Sequence, residues 1–176
     1  DQDEVDDFLD EVVVELRRLN QENEELRQRL VQSDQRINEL LEQYPCLLQG
    51  GRYLGAVSVL GGAFEIHGSG ELIAWSRILD DEELLCIVNG HGTDARGADV
   101  LVDASLSPTG SALQVVLNTA QAGSGAAYAG PHAVGSSLLV KRTGGGIAFV
   151  EIRDLPPSEV LVLANHPQAG GGDIVP

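Results

Sequence analysis

The side chains that could do chemistry are carboxylates, imidazoles, thiols and aromatic rings, and their spacing favours none of the common reactions. The densest acidic run, at residues 80–83, lies between two apolar segments where a hairpin turn is expected. A glycosidase needs two carboxylates across a cleft, about 5 to 10 Å apart. Adjacent residues in a turn do not give that arrangement, so the sequence predicts solvated turn residues here.

The four histidines and two cysteines show no spacing typical of a metal site or a nucleophile. They are His67, His91, His132, His166, Cys46 and Cys86. The cysteines have no Cys-x-x-Cys spacing, so two ordinary buried thiols are expected. A metal site would have to be assembled by tertiary folding alone. The sequence therefore predicts no enzyme, no metal and no cofactor.

Trp75 is the only tryptophan and the best candidate for a binding residue. Sugar rings stack on exposed aromatic side chains, so Trp75, helped by Tyr53 and Tyr128, could form a glycan-binding site. The alternative is a core position, because Trp75 lies among the apolar residues Ile73 and Ile78 of a predicted strand. Both interpretations stay open at this stage.

The net charge of the chain limits the kinds of molecule that it can bind. The 176 residues include 27 acidic and 11 basic side chains, for a net charge of -16. Nucleic-acid binding depends on clustered lysine and arginine, so a nucleic-acid partner is not expected. No apolar run approaches the length of a membrane span, and no signal peptide is visible. We expect a cytoplasmic protein.

The apolar residues of the N-terminal part recur at alternating three- and four-residue steps, which is typical of a coiled coil. With Leu9 at heptad position a, the register holds for about four heptads. The predicted oligomerisation seam consists of Leu9, Val12, Leu16, Leu19, Asn23, Leu26, Leu30, Ile37 and Leu40. The alternative is a single amphipathic helix that packs on the domain behind it.

Polar residues on and beside this seam indicate a parallel homodimer. Asn23 falls at an a position, where a buried amide pairs best with its own copy in register. Glu22 at g would face Arg27 at e of the second chain, and Arg29 would face Asp34 in the same way. Both pairs attract in a parallel dimer.

The predicted fold class is α+β in segregated parts, with a coiled-coil helix at residues 1–44 and an antiparallel β-sandwich at residues 52–167. Pro45 should end the helix, and residues 45–51 form a linker with a flexible glycine joint. Predicted strands lie at residues 72–79, 83–88, 100–102, 113–117, 137–140, 147–152 and 160–163. Turn residues separate them at the spacing of a sandwich. Residues 168–176 form a predicted flexible tail.

The N-terminal part resembles a known family. Residues 3–12, with the sequence DEVDDFLDEV, run into NQENEEL at residues 20–26. Together they resemble the coiled-coil stretch of the DivIVA domain, found in actinobacterial and other Gram-positive cell-pole and septum scaffolds. The resemblance covers about residues 1–43. It implies cytoplasmic parallel dimers that assemble further. The family's membrane-inserting turn region is missing upstream, so membrane binding by this segment is not expected.

The second part resembles another family through residues 73–89, IAWSRILDDEELLCIVN, and residues 151–163, EIRDLPPSEVLVL. They are similar to the C-terminal all-β domain that follows the catalytic barrel in α-amylase-family glycoside hydrolases. The resemblance covers about residues 50–167 and implies an α-glucan-binding accessory module without catalytic carboxylates. Two hypotheses follow: a non-catalytic scaffold assembled by the coil, and alternatively a starch- or glycogen-binding module.

Overall fold

The computed structural model describes residues 2–59, 61–66, 70–124, 128 and 130–166. The chain divides into two compact units, Asp1–Tyr44 and Pro45–Pro176. The first holds one long helix and the second holds antiparallel sheets. The predicted order of a helical part followed by an antiparallel β part is therefore confirmed. The predicted tail at residues 168–176 lies outside the described residues.

The first unit is helix α1, Gln2–Gln43, of 42 residues. No glycine or proline interrupts this segment, and at 1.5 Å per residue it is about 63 Å long. It ends directly before Tyr44 and Pro45, because proline disfavours helical geometry at the preceding residue. Arg18 bridges two turns, with nitrogen–oxygen distances of 2.7 Å to Glu15 and 3.2 Å to Glu22. Such pairs at three- and four-residue spacing support the helix from its polar face.

In its described residues, the second unit contains ten strands and two short helices. In chain order these elements are α2 (Cys46–Gln49), β1 (Gly51–Gly55), β2 (Val57–Ser58), β3 (Leu72–Leu79), β4 (Glu82–Asn89), β5 (Arg96–Leu101), β6 (Ala112–Asn118), α3 (Thr119–Ser124), β7 (Ser137–Leu139), β8 (Lys141–Arg142), β9 (Ala148–Leu155) and β10 (Val160–Ala164). A six-stranded sheet has the order β1-β3-β4-β10-β6-β7, and a four-stranded sheet has the order β2-β5-β9-β8. Neighbouring strands in both sheets are antiparallel.

One apolar cluster contains side chains from both sheets. Leu85 and Ile87 of β4 belong to it, as do Val100 of β5 and Val150 of β9. Each fully buried aliphatic side chain of this kind contributes about 1.5 to 3 kcal/mol to the free energy of unfolding. This shared core fixes the strands on which the candidate binding residues lie.

The segment predicted as a flexible linker contains a short, well-anchored helix. Arg77 of β3 donates from Nε to the Cys46 carbonyl at 3.1 Å and from Nη2 to the Leu47 carbonyl at 2.9 Å. A Cβ atom at Gly50 would lie 2.6 Å from the carbonyl oxygens of both Cys46 and Ile78. Glycine is therefore needed here for close backbone approach, and the flexibility of this joint stays a prediction.

The hairpin predicted around residue 80 is confirmed. Strands β3 and β4 pair in register from Leu72 opposite Asn89 to Leu79 opposite Glu82. Only Asp80 and Asp81 separate them, and Asp80 has a φ of 53°. Aspartate tolerates this left-handed conformation better than most residues.

Candidate functional site

The predicted oligomerisation seam runs along α1, and most of it is solvent-exposed within one chain. The exposed members with described side chains are Leu9, Leu16, Leu19, Asn23, Leu26, Leu30 and Ile37. Val12 is half-buried, and Leu40 lies in the last turn, where its carbonyl accepts the Tyr44 N–H at 2.9 Å. Leu16 alone is 60% exposed. A row of exposed leucines on one helix is costly in water unless another surface covers it.

The charged residues beside the seam form ion pairs with other residues of α1. Arg27 lies 3.9 Å from Glu24, and Arg18 contacts Glu22. These four side chains are more than half exposed, so the pairs are weak and can exchange partners. These contacts therefore hold Glu22 and Arg27 only weakly along their own helix.

Trp75 lies on the face of β3 opposite the core. The neighbouring residues Ala74 and Ser76 are buried, whereas Trp75 is half-buried. The guanidinium carbon of Arg52 lies 5.4 Å from the centre of the Trp75 ring, a cation–π distance. Cys86 is its register partner on β4. Trp75 is therefore neither a core residue nor a freely exposed platform.

Tyr53 lies on the other face of the same sheet. Its register partner on β3 is Ser76, and side chains directly opposite each other share a face whereas successive ones alternate. Tyr53 therefore points away from the face that carries Trp75, so the two rings cannot stack on one sugar. At 57% exposure Tyr53 is the more accessible of the two.

Tyr53 lines a cavity of about 380 Å³ in the β unit. Its polar lining includes Tyr53, Ser76, Asp80, Glu83, Asp103 and Ser105. Carboxylates and hydroxyl groups accept and donate hydrogen bonds to sugar hydroxyls, and an aromatic ring at the mouth adds an apolar surface. This cavity brings together polar groups that the sequence analysis did not associate.

Glu83 is the residue that sequence reasoning placed wrongly. It was expected to be solvated like the rest of the acidic run, although the predicted strand 83–88 included it, and it is fully buried within β4. Its Oε1 accepts the Ser76 hydroxyl at 2.8 Å and the Asp103 N–H at 3.1 Å, and its Oε2 accepts the Ser107 hydroxyl at 2.8 Å. Glu83, Leu85 and Ile87 are two positions apart along β4 and therefore share its core-facing side. The two-residue strand period was thus the signal in the sequence that could have indicated burial of Glu83.

Asp103 forms the outer part of this cluster. Its Oδ1 accepts the Ser105 N–H at 2.8 Å and the Leu106 N–H at 3.3 Å, and it also accepts the Ser105 hydroxyl. The hydroxyl hydrogen bond lowers the pKa of Asp103, although partial burial acts in the opposite direction. Asp103 therefore carries a stabilised negative charge at the cavity wall.

Tyr128 is half-buried, and its hydroxyl is buried without a hydrogen-bond partner. Residues 125–127 and 129 around it lie outside the described residues. It is absent from the residues that line the Tyr53 cavity. The three predicted aromatic residues are thus not brought together among the described parts of the chain.

The histidines do not converge within the described ranges. His132 is buried, with Nε2 lying 2.7 Å from the Arg153 carbonyl oxygen and Nδ1 lacking a partner. Burial lowers the pKa of His132. His91 organises a loop, with Nδ1 accepting the Asp94 N–H at 2.8 Å, and His166 is exposed. His67 lies outside the described residues. Over those ranges, no group of three or more His, Cys, Asp or Glu side chains could hold a metal ion.

Cys46 and Cys86 are both buried free thiols. Burial raises the pKa of Cys86 to about 11. The pKa of Cys46 is also raised, mainly by burial and further by a hydrogen bond with Glu82. Thiols protonated at neutral pH are poor nucleophiles, which gives neither cysteine the character of a reactive group.

Comparison of the chain with protein-family models and with curated proteins finds no match. The resemblances to the DivIVA domain and to the amylase C-terminal domain therefore stay predictions. Of the helices in the described part of the chain, none combines the length and apolarity needed to cross a membrane.

Proposed function

We propose that this protein is a non-catalytic scaffold in which α1 forms a parallel coiled coil with a second copy and thereby pairs two β units. We further propose that each β unit is a β-sandwich and that the assembly works in the cytoplasm, as the DivIVA resemblance implies. The exposed a and d row of α1 carries the proposal. Asn23 and the two attracting g–e pairs support the parallel orientation.

The cost of leaving this row exposed supports a second copy as its occupant. Leu16, Leu26 and Leu30 are each 57% to 61% exposed. Burying such side chains in a seam contributes about 1.5 to 3 kcal/mol each, enough over several heptads to offset the entropy of association. The seam of α1 is narrow, which favours a helical partner with the same repeat.

The test is the mass of the whole chain in solution. We expect sedimentation velocity to give a dimer or a larger assembly for the unmodified chain, and a monomer for the double variant Leu16→Gln and Leu30→Gln. The matched control is Val14→Gln with Val31→Gln, which changes two exposed apolar residues of α1 at f and b positions. An unmodified chain that is monomeric, or a seam variant that keeps its mass, would refute the proposal.

The alternative function is α-glucan binding by the β unit. The Tyr53 cavity favours it, because an exposed aromatic ring lies beside carboxylates and hydroxyls that suit sugar hydroxyl groups. The amylase resemblance points to the same ligand class. In a dimer, two weak sites would bind a long glucan with added avidity.

Native affinity electrophoresis with and without soluble starch tests this alternative. Retardation that Tyr53→Ala abolishes would assign binding to the cavity face, and retardation that Trp75→Ala abolishes would assign it to the opposite face. Leu139→Ala, at an exposed apolar residue of β7, is the control for general effects of truncation. Unchanged mobility of the unmodified chain in starch would rule out the glucan-binding function.

A further inference from the structure

The N-terminal end of α1 has a wider apolar surface than the rest of the helix. In the register with Leu9 at a, Phe8 falls at g and Val13 at e. Both are exposed, Phe8 to 62% and Val13 to 42%. Positions g and e flank the a and d seam on its two sides, so Phe8 and Val13 extend the apolar surface beyond it.

The g and e positions that follow, up to residue 34, are polar. They are Glu15, Asn20, Glu22, Arg27, Arg29 and Asp34. Phe8 and Val13 are therefore the two apolar residues at g and e positions between residues 8 and 34. Phe8 and Val13 do not contact each other within one helix, since residues five positions apart lie about 140° apart around the helix axis.

We propose that Phe8 of one chain packs against Val13 of a second copy and sets the alignment of the coiled coil. This inference rests on the proposed dimer and names two residues that determine its register and orientation. In a parallel, in-register dimer, a residue at g faces the residue at e five positions later in the other chain. Each dimer therefore contains the Phe8–Val13 contact twice, on both sides of the Leu9 and Val12 layers.

Charge complementarity further along α1 argues for this second copy as the occupant. The same five-residue offset pairs Glu22 with Arg27 and Arg29 with Asp34, and both pairs have opposite charges. An antiparallel dimer would instead pair g with g and e with e. The parallel register is thus the one that satisfies both the apolar pair and the charged pairs.

Repulsion at the N-terminal end explains why an apolar pair is useful there. Residues 1–16 contain acidic side chains and no lysine or arginine. Two such ends side by side repel each other, and the separation would fray the first layers of the seam. Burying Phe8 against Val13 opposes that separation, because the gain from apolar burial does not depend on charge.

The experiment measures the dimer dissociation constant of the whole chain for the unmodified protein and four variants, with helix content followed by circular dichroism. We expect Phe8→Glu and Val13→Lys each to raise the dissociation constant about tenfold or more. The new charges of the double variant Phe8→Glu with Val13→Lys attract across the two chains. Its loss of affinity, on a logarithmic scale, should therefore be smaller than the sum of the two single-variant losses by at least about a third. The matched control, Phe8→Glu with Val14→Lys, carries the same charges but places the lysine at f and should show no recovery.

The outcomes separate this inference from the proposed function. If the unmodified chain is monomeric, the scaffold proposal and the inference both fail. If Leu16→Gln with Leu30→Gln gives monomers but the Phe8 and Val13 variants keep the original dissociation constant, only the inference fails. Equal recovery in the test and control doubles would also overturn it, since that result reflects net charge and not a contact between Phe8 and Val13.

Discussion

Arg52 and Trp75 lie on adjacent antiparallel strands of the six-stranded sheet, with the guanidinium carbon 5.4 Å from the centre of the indole ring. The guanidinium occupies ring surface that a sugar would need for stacking. Such a contact is worth about 0.5 to 1 kcal/mol at an exposed site. A ligand of Trp75 would have to displace Arg52, so the Trp75 face is a weaker candidate for glucan than the Tyr53 cavity.

Removing Arg52 should uncover Trp75. Because Trp75 is the only tryptophan, the tryptophan fluorescence reports the surroundings of this residue alone. We expect Arg52→Ala to shift the emission maximum to longer wavelength and to increase quenching by acrylamide. Arg142→Ala, at an exposed arginine of β8, is the control and should leave both unchanged. An unshifted spectrum for Arg52→Ala would contradict the contact.

Glu83 should contribute strongly to the stability of the β unit. Glu83→Ala leaves the Ser76 hydroxyl, the Ser107 hydroxyl and the Asp103 N–H without their acceptor and opens a void. Unsatisfied buried donors and cavities together are expected to cost about 3 to 5 kcal/mol, measured by urea denaturation. Asp81→Ala, in the exposed turn next to it, should change stability by less than about 0.5 kcal/mol. Equal effects of the two substitutions would show that Glu83 is not an integral part of the core.

The sequence predicted the elements whose patterns are long. The heptad repeat predicted α1, and the two apolar runs around Asp80 and Asp81 predicted the β3–β4 hairpin. It did not predict β1, β2 or β8, because these strands are short or begin at a glycine and therefore carry little periodicity. The predicted start of β4 was one residue late, since Glu82 was assigned to the turn.

The candidate site was harder to predict, because its residues meet only through tertiary folding. Glu83 is buried by partners that come from β3 and from the loop after β5, namely Ser76, Asp103 and Ser107. An acidic residue next to a turn gives no indication of such partners. The aromatic set was predicted from composition, and strand register then placed Tyr53 and Trp75 on opposite faces of one sheet.

His132 should make the stability of the β unit depend on pH. Burial lowers its pKa in the folded state, so the unfolded chain binds a proton first as the pH falls. Stability should therefore decrease below about pH 6.5 and level off once the pH is below the folded-state pKa. We expect urea denaturation between about pH 7.5 and pH 5.5 to show this decrease. His132→Gln should flatten the pH dependence, whereas His166→Gln, at an exposed histidine, should keep it.

The thiols of Cys46 and Cys86 should react slowly with thiol reagents while the protein is folded. Burial raises the pKa of Cys86 to about 11, and the thiolate is the reactive form. We expect Ellman's reagent at about pH 8 to react slowly with the native Cys46→Ala variant and rapidly after unfolding in guanidinium chloride. Rapid reaction of Cys86 in the native state would show that the outer face of β4 opens readily.

Asn23 should limit the stability of the coiled coil while fixing its arrangement. A buried asparagine at an a position costs stability because its amide is taken from water, and it favours the parallel, in-register dimer in which the two copies pair. We expect Asn23→Leu to tighten association and raise the thermal midpoint, while sedimentation velocity reveals additional oligomers beyond the dimer. Asn38→Leu makes the same change at a b position, outside the seam, and should leave the oligomer distribution unchanged. If Asn23→Leu and Asn38→Leu behave alike, the seam does not contain Asn23 and the heptad register proposed for α1 is incorrect.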